Sequence, residues 1–268
     1  MMIRSLLAVA MAIAALPVLA SPPLDCVISP KSVVDLGVVE EGMISEILVE
    51  RGDFIETGDP VVRLDDDLQL LQVELTGLRA TSDADLRSQQ TRLELRLHEL
   101  ERAERLRERR IAAETVLDDA RIEAALTELA VENALIDRQL SAIEHKLAQV
   151  RLARRTLTSP VTGVVMAVEA AAGEFAHEQL TILRIAEIDP LYVEVFAPAE
   201  IFGRIQRGQE YEIRPMPPLE GSYRATVTVV DQIFDVASGT FGVRLELPNP
   251  EGTVPAGVRC TMIFDVSG

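Results

Sequence analysis

Tryptophan is absent from this chain of 268 residues, and histidine and cysteine are scarce, with three and two copies. The histidines (His98, His145 and His177) are isolated and have no metal-ligand spacing, so they predict no metal site. None of them completes a catalytic triad, and no glycine-rich phosphate loop is present. We therefore predict that the chain is not an enzyme and has no catalytic, cofactor-binding or metal-binding residue.

Positive charge is scarce relative to negative charge: 26 Lys and Arg stand against 43 Asp and Glu, which gives a net charge of −17. A nucleic-acid-binding protein is expected to present a basic face. Only the segment 68–156 is nearly balanced in charge, and the remainder carries the excess acid. We expect no nucleic-acid partner, and the 48% hydrophobic content is typical of a folded chain.

The N-terminus has the pattern of an export signal. Arg4 precedes a short apolar run, and small residues lead up to Ala20, so residues 1–20 are predicted to be a signal peptide cleaved after Ala20. The apolar run is shorter than the ~20 residues that a spanning helix needs, although a retained signal anchor is the alternative. Export permits a disulfide between Cys26 and Cys260, which would join the two ends of the chain. Two buried free thiols are the other possibility.

One short pattern occurs twice. The stretch "GMISEILVERGDF" at 42–54 aligns without a gap to "GVVMAVEAAAGEF" at 163–175, and the strand-like segments at 61–64 and 182–185 keep the same offset of 121 residues. The copies begin at Gly42 and Gly163. Each then alternates apolar and polar residues and turns at Gly52 or Gly173. Because one copy alone would expose an apolar face, we predict that the two copies close into one small sandwich.

The segment between the copies is predicted to be helical. Residues 68–157 contain no proline and only Gly77 among glycines, and strong helix formers dominate. Arg109 to Thr115 interrupts the pattern, so we predict two antiparallel helices at about 67–109 and 114–156, each roughly 65 Å long.

The second helix contains a nearly strict heptad seam, which is typical of a coiled coil. Its polar members, together with Ser82 and Gln89 of the first helix, either fix the register of the coiled coil or face lateral neighbours in an assembly. The seam comprises Ile122, Leu126, Leu129, Asn133, Ile136, Leu140, Ile143, Leu147, Val150, Arg154 and Leu157.

After the second copy, short β-rich runs separated by Pro, Gly and Asn predict a small β-barrel, with one short helix at "PAEIFGRI", residues 198–205. This order of segments resembles the periplasmic adaptor proteins, or membrane fusion proteins, of the HlyD-like and RND-efflux family. The turn "NPEGTVPAG" at 249–257 and Asp235 with "SGTFGVR" at 238–244 are similar to the barrel of that family.

The resemblance implies an elongated α+β fold: a lipoyl-like β-sandwich split by a long antiparallel α-helical coiled-coil hairpin and followed by a small β-barrel. The predicted divisions are a signal peptide (1–20), an N-terminal strand or linker that is a possible membrane-proximal remnant (21–36), lipoyl-like half 1 (37–66), the helical hairpin (67–157, tip about 109–114), lipoyl-like half 2 (158–187) and the barrel (188–268).

The resemblance also implies a docking site at the hairpin tip. Arg102, Leu106 and Asp118 match the channel-docking motif of the family, whereas Ala113 stands where the family has serine. The implied function is a non-catalytic periplasmic adaptor in an efflux system. It would link an inner-membrane transporter, with the RND type favoured, to an outer-membrane channel. Several copies would assemble into an oligomeric funnel in the periplasm.

Two alternatives to this function remain open. An adaptor of a type I-like secretion system or ABC-type exporter would have the same parts, but it usually keeps its N-terminal anchor. A lipoyl or biotin carrier protein would present a lysine at the turn between the two halves, and neither Lys31 nor Lys146 lies there.

Overall fold

The computed structural model describes residues 23–264, so the predicted signal peptide lies outside the described residues. These residues form two compact units, one of residues 34–185 and one that combines residues up to 33 with those from 186 onward. Within residues 23–264, every helix is too short or too polar to span a bilayer.

The first unit contains both copies of the repeat. The first copy supplies β2 (Gly42–Ile47), β3 (Phe54–Ile55) and β4 (Pro60–Leu64). The second copy supplies β6 (Gly163–Val168), β7 (Phe175–Ala176) and the start of β8 (Leu183–Pro198). A short β5 (Thr156–Thr158) pairs with β4. β2 and β6, and likewise β3 and β7, therefore begin and end at the offset that the sequence repeat predicts, whereas β8 begins two residues later than the counterpart of β4 and continues beyond it.

The two copies exchange strands. Gly42 and Met43 of β2 pair with Ala176 and Phe175 of β7, while Phe54 and Ile55 of β3 pair with Val164 and Gly163 of β6. Apolar residues at matching positions of both copies then fill one core. That core includes Ile44 with Val165, Ile55 with Ala176, Val62 with Leu183, and Leu64 with Ile185. The prediction that the separated copies share an interior is confirmed.

The predicted glycines serve two different purposes. Gly52 and Gly173 adopt positive φ angles of 99° and 87°, which L-residues rarely adopt. In each turn the acid that follows glycine accepts a hydrogen bond from the backbone N–H three residues earlier, Glu50 to Asp53 at 2.8 Å and Ala171 to Glu174 at 3.1 Å. Gly42 instead leaves room for the guanidinium of Arg155, which would collide with a Cβ at position 42.

Three helices, not two, lie between the copies: α1 (Asp67–Thr81), α2 (Ala84–Glu108) and α3 (Glu114–Ala153). The prediction of one continuous first arm, 67–109, is wrong, because Ser82 is extended (φ −72°, ψ 123°) and separates α1 from α2. Thr81, Ser82 and Asp83 have side chains that compete with helical backbone hydrogen bonds, which explains the break. The second arm ends at Ala153, and Leu157 belongs to β5.

The second unit is a closed barrel of six strands. It adds β9 (Glu210–Pro215), β10 (Tyr223–Asp235), β11 (Thr240–Leu247) and β12 (Val258–Ile263) to β8 and to β1 (Leu24–Leu36). The strand order is β1-β12-β9-β10-β11-β8, and β1 also pairs with β8. The predicted short helix is a single 3₁₀ turn, Ala199–Ile201.

Most of the segment 21–36, predicted to be a strand or linker, forms the strand β1, and the start of β1 belongs to the barrel. Leu24 to Ile28 pair with β12, and Leu24, Cys26 and Ile28 are buried in the barrel core. Cys26 lies opposite Cys260, and the two form a disulfide with an S–S distance of 2.05 Å. Residues 24–28 are therefore a structural strand of the barrel.

The barrel turn at Asn249 depends on one buried amide. The side-chain nitrogen of Asn249 donates to the carbonyl oxygens of Ile188 (3.1 Å) and Val254 (3.0 Å), and its Oδ1 accepts from the N–H of Val254 (3.0 Å). Asn249 is only 3% exposed. Its side chain thus satisfies backbone groups that would otherwise be buried without partners.

Candidate functional site: the tip and outer face of the helical hairpin

The tip closes in a Schellman arrangement. The N–H of Ile111 donates to the carbonyl oxygen of Leu106 (2.9 Å), and the N–H of Arg110 donates to that of Arg107 (2.9 Å). Arg110 has a φ of 56°, where glycine is usual, and it is the one non-glycine residue with positive φ among residues 23–264. The chain thus holds a long cationic side chain in a strained backbone conformation at the end of the hairpin.

The tip presents apolar and basic groups together. Ile111 is 70% exposed, and Arg109 and Arg110 directly precede it. Arg107 contacts Glu114 with a nitrogen–oxygen distance of 3.4 Å, which joins the end of α2 to the start of α3. An exposed aliphatic side chain beside arginines is typical of a protein-binding site, where apolar anchors and arginine are enriched.

The four residues predicted to dock a channel are divided between the two arms of the hairpin. Arg102 and Asp118 are exposed on different arms, and Leu106 is half-buried. Ala113 is exposed and precedes the first turn of α3. The sequence placed the tip near Ile111 but assigned no role to Ile111 or Arg110. The only sequence signal for them was the interruption of the helical pattern from Arg109 onward.

The heptad seam of the second arm does not face the first arm, contrary to the coiled-coil interpretation. The buried residues of α3 are instead Leu117 and three alanines, Ala124, Ala134 and Ala148. Asn133 is exposed, so it does not fix the register between the two arms. The large aliphatic residues of the seam are exposed in α3: Ile122, Leu126, Leu129, Ile136, Leu140, Ile143, Leu147 and Val150.

One end of the barrel also presents apolar groups. The rings of Phe202, Phe234 and Phe241 contact one another, with centroid distances of 4.9 to 5.8 Å. Beside them, Ile233 is 84% exposed and Val236 is 94% exposed. Among the described residues, no group of three or more His, Cys, Asp or Glu side chains is placed to bind a metal ion.

Known proteins resemble the chain in both sequence and structure. It is 24% identical to the multidrug resistance protein MdtE of Escherichia coli K12 over 57% of this chain, and it spans only 40% of MdtE. It is 27% identical to the pyoverdine export membrane fusion protein PvdR of Pseudomonas putida over 90% of this chain and 68% of PvdR.

Solved structures give the same fold. MacA from Actinobacillus actinomycetemcomitans matches with a TM-score of 0.76 at 18% identity, over 91% of this chain and 79% of MacA. The membrane fusion protein Spr0693 from Streptococcus pneumoniae R6 matches with a TM-score of 0.61 at 14% identity, over 90% of this chain and 97% of Spr0693.

A family profile covers more than half of the 268 residues. It is described as the YknX barrel-sandwich hybrid domain and matches residues 38–186, which include both copies of the repeat and the helices between them. The chain therefore belongs to the family of periplasmic adaptors, or membrane fusion proteins, that carry this domain.

Proposed function

We propose that this chain is the periplasmic adaptor of a tripartite efflux system and links an inner-membrane pump to an outer-membrane channel. The observation that carries the proposal is the hairpin inserted between the exchanged halves of one core, with its end presenting Ile111 among arginines. The 40 residues of α3 correspond to about 60 Å of helix, which gives the arm the reach that such a link requires.

The role proposed for the tip is docking to the channel. Ile111 supplies an apolar anchor, and Arg109 and Arg110 supply charges that set orientation and partner choice. Ala113, where the family has serine, offers no hydroxyl, so recognition by this chain relies on apolar contact and charge rather than on a hydrogen bond from that position.

The role proposed for the barrel is contact with the pump. Ile233 and Val236 form an exposed apolar projection at the β10–β11 connection, and exposed apolar patches mark protein interaction sites. The RND type of pump is favoured because the order of segments resembles that of RND-efflux adaptors. The adaptor acts in the periplasm without chemistry of its own, and several copies assemble into a funnel.

Crosslinking in cells tests the tip assignment. Ala113→Cys, labelled with a thiol-specific photoactivatable reagent, is expected to crosslink to an outer-membrane protein in cells where export still works. Ser88→Cys, exposed in the middle of the first arm, is the matched control and is expected to give no such product. If export is normal and Ala113→Cys gives the same products as Ser88→Cys, the tip does not dock to a channel.

A further inference from the structure

The outer half of β10 has a partner strand on one side only. β10 contains 13 residues and β9 contains six, and the two strands pair over residues 223–226. The carbonyl oxygen of Val227 still accepts from the N–H of Gly208, and its N–H donates to the carbonyl oxygen of Gln209, both at 2.8 Å. Beyond Val227, within the part of the chain that the structure describes, β10 pairs with β11 alone. Closing a barrel normally removes sheet edges, but here residues 228–235 remain an edge.

A groove of about 570 Å³ follows this edge. One wall is formed by β10 from Thr228 to Gln232, and the other by the connection 202–207 that follows the 3₁₀ turn. Val229 on the first wall is 42% exposed, and Phe202 on the second is also exposed. Across the described residues, no backbone hydrogen bond joins the two walls. The groove therefore combines accessible apolar side chains with the backbone of an edge strand.

The edge has room for one strand and is bent. Residues 228–234 span about 20 Å at ~3.3 Å per residue, which is the length of an ordinary strand. The register with β11 shifts between Val227 and Val229 and again between Val230 and Phe234. Such bulges bend an edge strand and oppose indiscriminate pairing. Only a segment that follows this bend can pair along the whole edge.

A backbone acceptor lies beside the groove. The side-chain nitrogen of Gln232, which lines the groove, is 3.5 Å from the carbonyl oxygen of Val230. That distance is at the upper limit for a hydrogen bond, so a backbone N–H of an added strand at the usual ~2.9 Å would be the better donor.

The charge of the groove is opposite in sign to that of the chain. Arg207 is the one charged residue among the described residues that line the groove, and it forms no ion pair within residues 23–264. The whole chain has a net charge of −17. An acidic side chain on an occupant would gain a partner in Arg207, whereas a basic one would meet a like charge.

The groove is also continuous with the apolar projection of the barrel. Ile233 directly follows Gln232 in β10, and Val236 lies just beyond the end of the strand. These two exposed residues are the ones assigned above to pump contact. A partner that covers the projection therefore passes the open edge.

We propose that the groove binds an extended, acidic segment of the inner-membrane pump, which adds to the free edge of β10 as a further strand. Backbone hydrogen bonds to residues 228–234 supply affinity, alternate apolar side chains of the segment contact Val229 and Phe202, and a carboxylate pairs with Arg207. This inference rests on the proposed function, because it names how the barrel holds the pump. A contact through side chains alone would cover Ile233 but leave the backbone edge in water.

Crosslinking in cells identifies the occupant. Val229→Cys, labelled with a thiol-specific photoactivatable reagent, is expected to crosslink to a periplasmic segment of an inner-membrane transporter. Thr253→Cys, exposed in the barrel turn that contains Asn249, is the matched control and should not give this product. If export is normal and both variants give the same products, no pump segment occupies the groove. A product with a second copy of the chain, or with a protein that is not a transporter, also contradicts the proposal.

Amide hydrogen exchange tests strand addition itself. The probe is a synthetic peptide that copies the crosslinked pump segment, and it is added at saturation to the purified full chain. Exchange in residues 228–234 should slow at least about tenfold, because strand pairing protects backbone amides. Unchanged exchange in this segment with the peptide bound would refute strand addition.

N-methylated peptides provide a control with unchanged side chains. Two versions carry N-methyl groups at alternate residues, one in each phase, and successive N–H groups of a strand point to opposite sides. The version that blocks the N–H groups facing β10 should bind at least about tenfold more weakly, while the other should bind like the unmodified peptide. Equal affinity of the two versions would mean that no backbone ladder forms.

Charge exchange tests the role of Arg207. Arg207→Glu should weaken binding of the peptide about fivefold, because attraction becomes repulsion, and a peptide with lysine in place of the acid should restore it. Arg259→Glu, exposed on β12, changes the net charge by the same amount and should bind like the unchanged chain. Thermal unfolding should be the same for both variants. Equal weakening by both would mean that net charge acts, and not a pair with Arg207.

Strand addition and the proposed function fail in different ways. Val236→Cys with the same reagent reports on any contact between the barrel and the pump. If Val236→Cys crosslinks to a transporter and Val229→Cys does not, the barrel contacts the pump without an added strand, and only this inference falls. If neither variant reaches a transporter in cells that export normally, the pump contact of the proposed function falls as well.

Discussion

Replacing Arg110 by glycine should stabilise the end of the hairpin. Arg110 occupies the C′ position of the Schellman motif with a φ of 56°, a position where glycine is strongly preferred because a Cβ is crowded in the left-handed region. The amide of Ile111, which donates to the carbonyl oxygen of Leu106, reports directly on whether this turn is closed. The substitution therefore changes one local equilibrium that hydrogen exchange can follow.

The expected effect is a difference between two opposing terms. The left-handed conformation costs an L-residue about 1–2 kcal/mol, and glycine removes that cost. Glycine also has more backbone conformational entropy when the turn is open, which reduces this stabilisation by about 0.5–1 kcal/mol. The net stabilisation is therefore about 0.5–1 kcal/mol, which corresponds to roughly two- to fivefold slower exchange of the Ile111 amide.

Arg109→Gly provides the matched control. This substitution removes the same charge from the neighbouring position. Arg109 has φ −78° and ψ 2°, where an L-residue is unstrained. Glycine there should speed exchange of the Ile111 amide by about two- to fivefold, because only the entropic term remains. Native-state hydrogen exchange by NMR measures both variants. If both substitutions shift the exchange rate in the same direction, strain at Arg110 is not what limits the stability of the tip.

Three further predictions concern the two units. Gly52→Ala and Gly173→Ala should each lower the free energy of unfolding, measured by chemical denaturation, by about 1 kcal/mol. No atom lies near either new Cβ, so only the positive φ opposes alanine. A large difference between the two variants would contradict the equivalence of the two turns. Asn249→Ala should cost about 1–3 kcal/mol by the same assay, because it leaves buried backbone groups unpaired, and a neutral result would mean that water replaces the amide. Backbone N–H groups of Ala237 and Ser238 lower the pKa of Asp235. Its stabilisation is complete above its unfolded pKa and is lost as pH falls through the folded value, so Asp235→Asn should show a shallower loss of stability below about pH 4; parallel pH profiles would contradict this.

The split sandwich was predictable from the sequence because two constraints recur at one spacing. Gly52 and Gly173 each require a positive φ, and the residues at positions such as Ile44 and Val165 must each be buried. A repeat that preserves both turn and core positions leaves few ways to pack the two copies. The sequence could not show that each copy completes the other by exchanging strands, since pairing between distant segments leaves no local signal.

The hairpin shows where pattern alone misled. The aliphatic heptad of α3 has the period of a coiled coil, but period does not say which partner covers the seam. The contact between the arms uses Ala124, Ala134 and Ala148, whose small side chains permit close approach and carry little hydrophobic signal. The break at Ser82 had a local signal, the run Thr81-Ser82-Asp83, which outweighs the helix-forming residues on either side.

The pairing of β4 with β5 fixes the base of the hairpin independently of the length of its helices. Both chain crossings into the arm, after β4 and before β5, are fixed by the pairing of β4 with β5. Whole heptads could therefore be inserted or deleted near the tip without altering any residue of the core. The number of turns between the root of the arm and its far end can thus change while the sandwich stays the same.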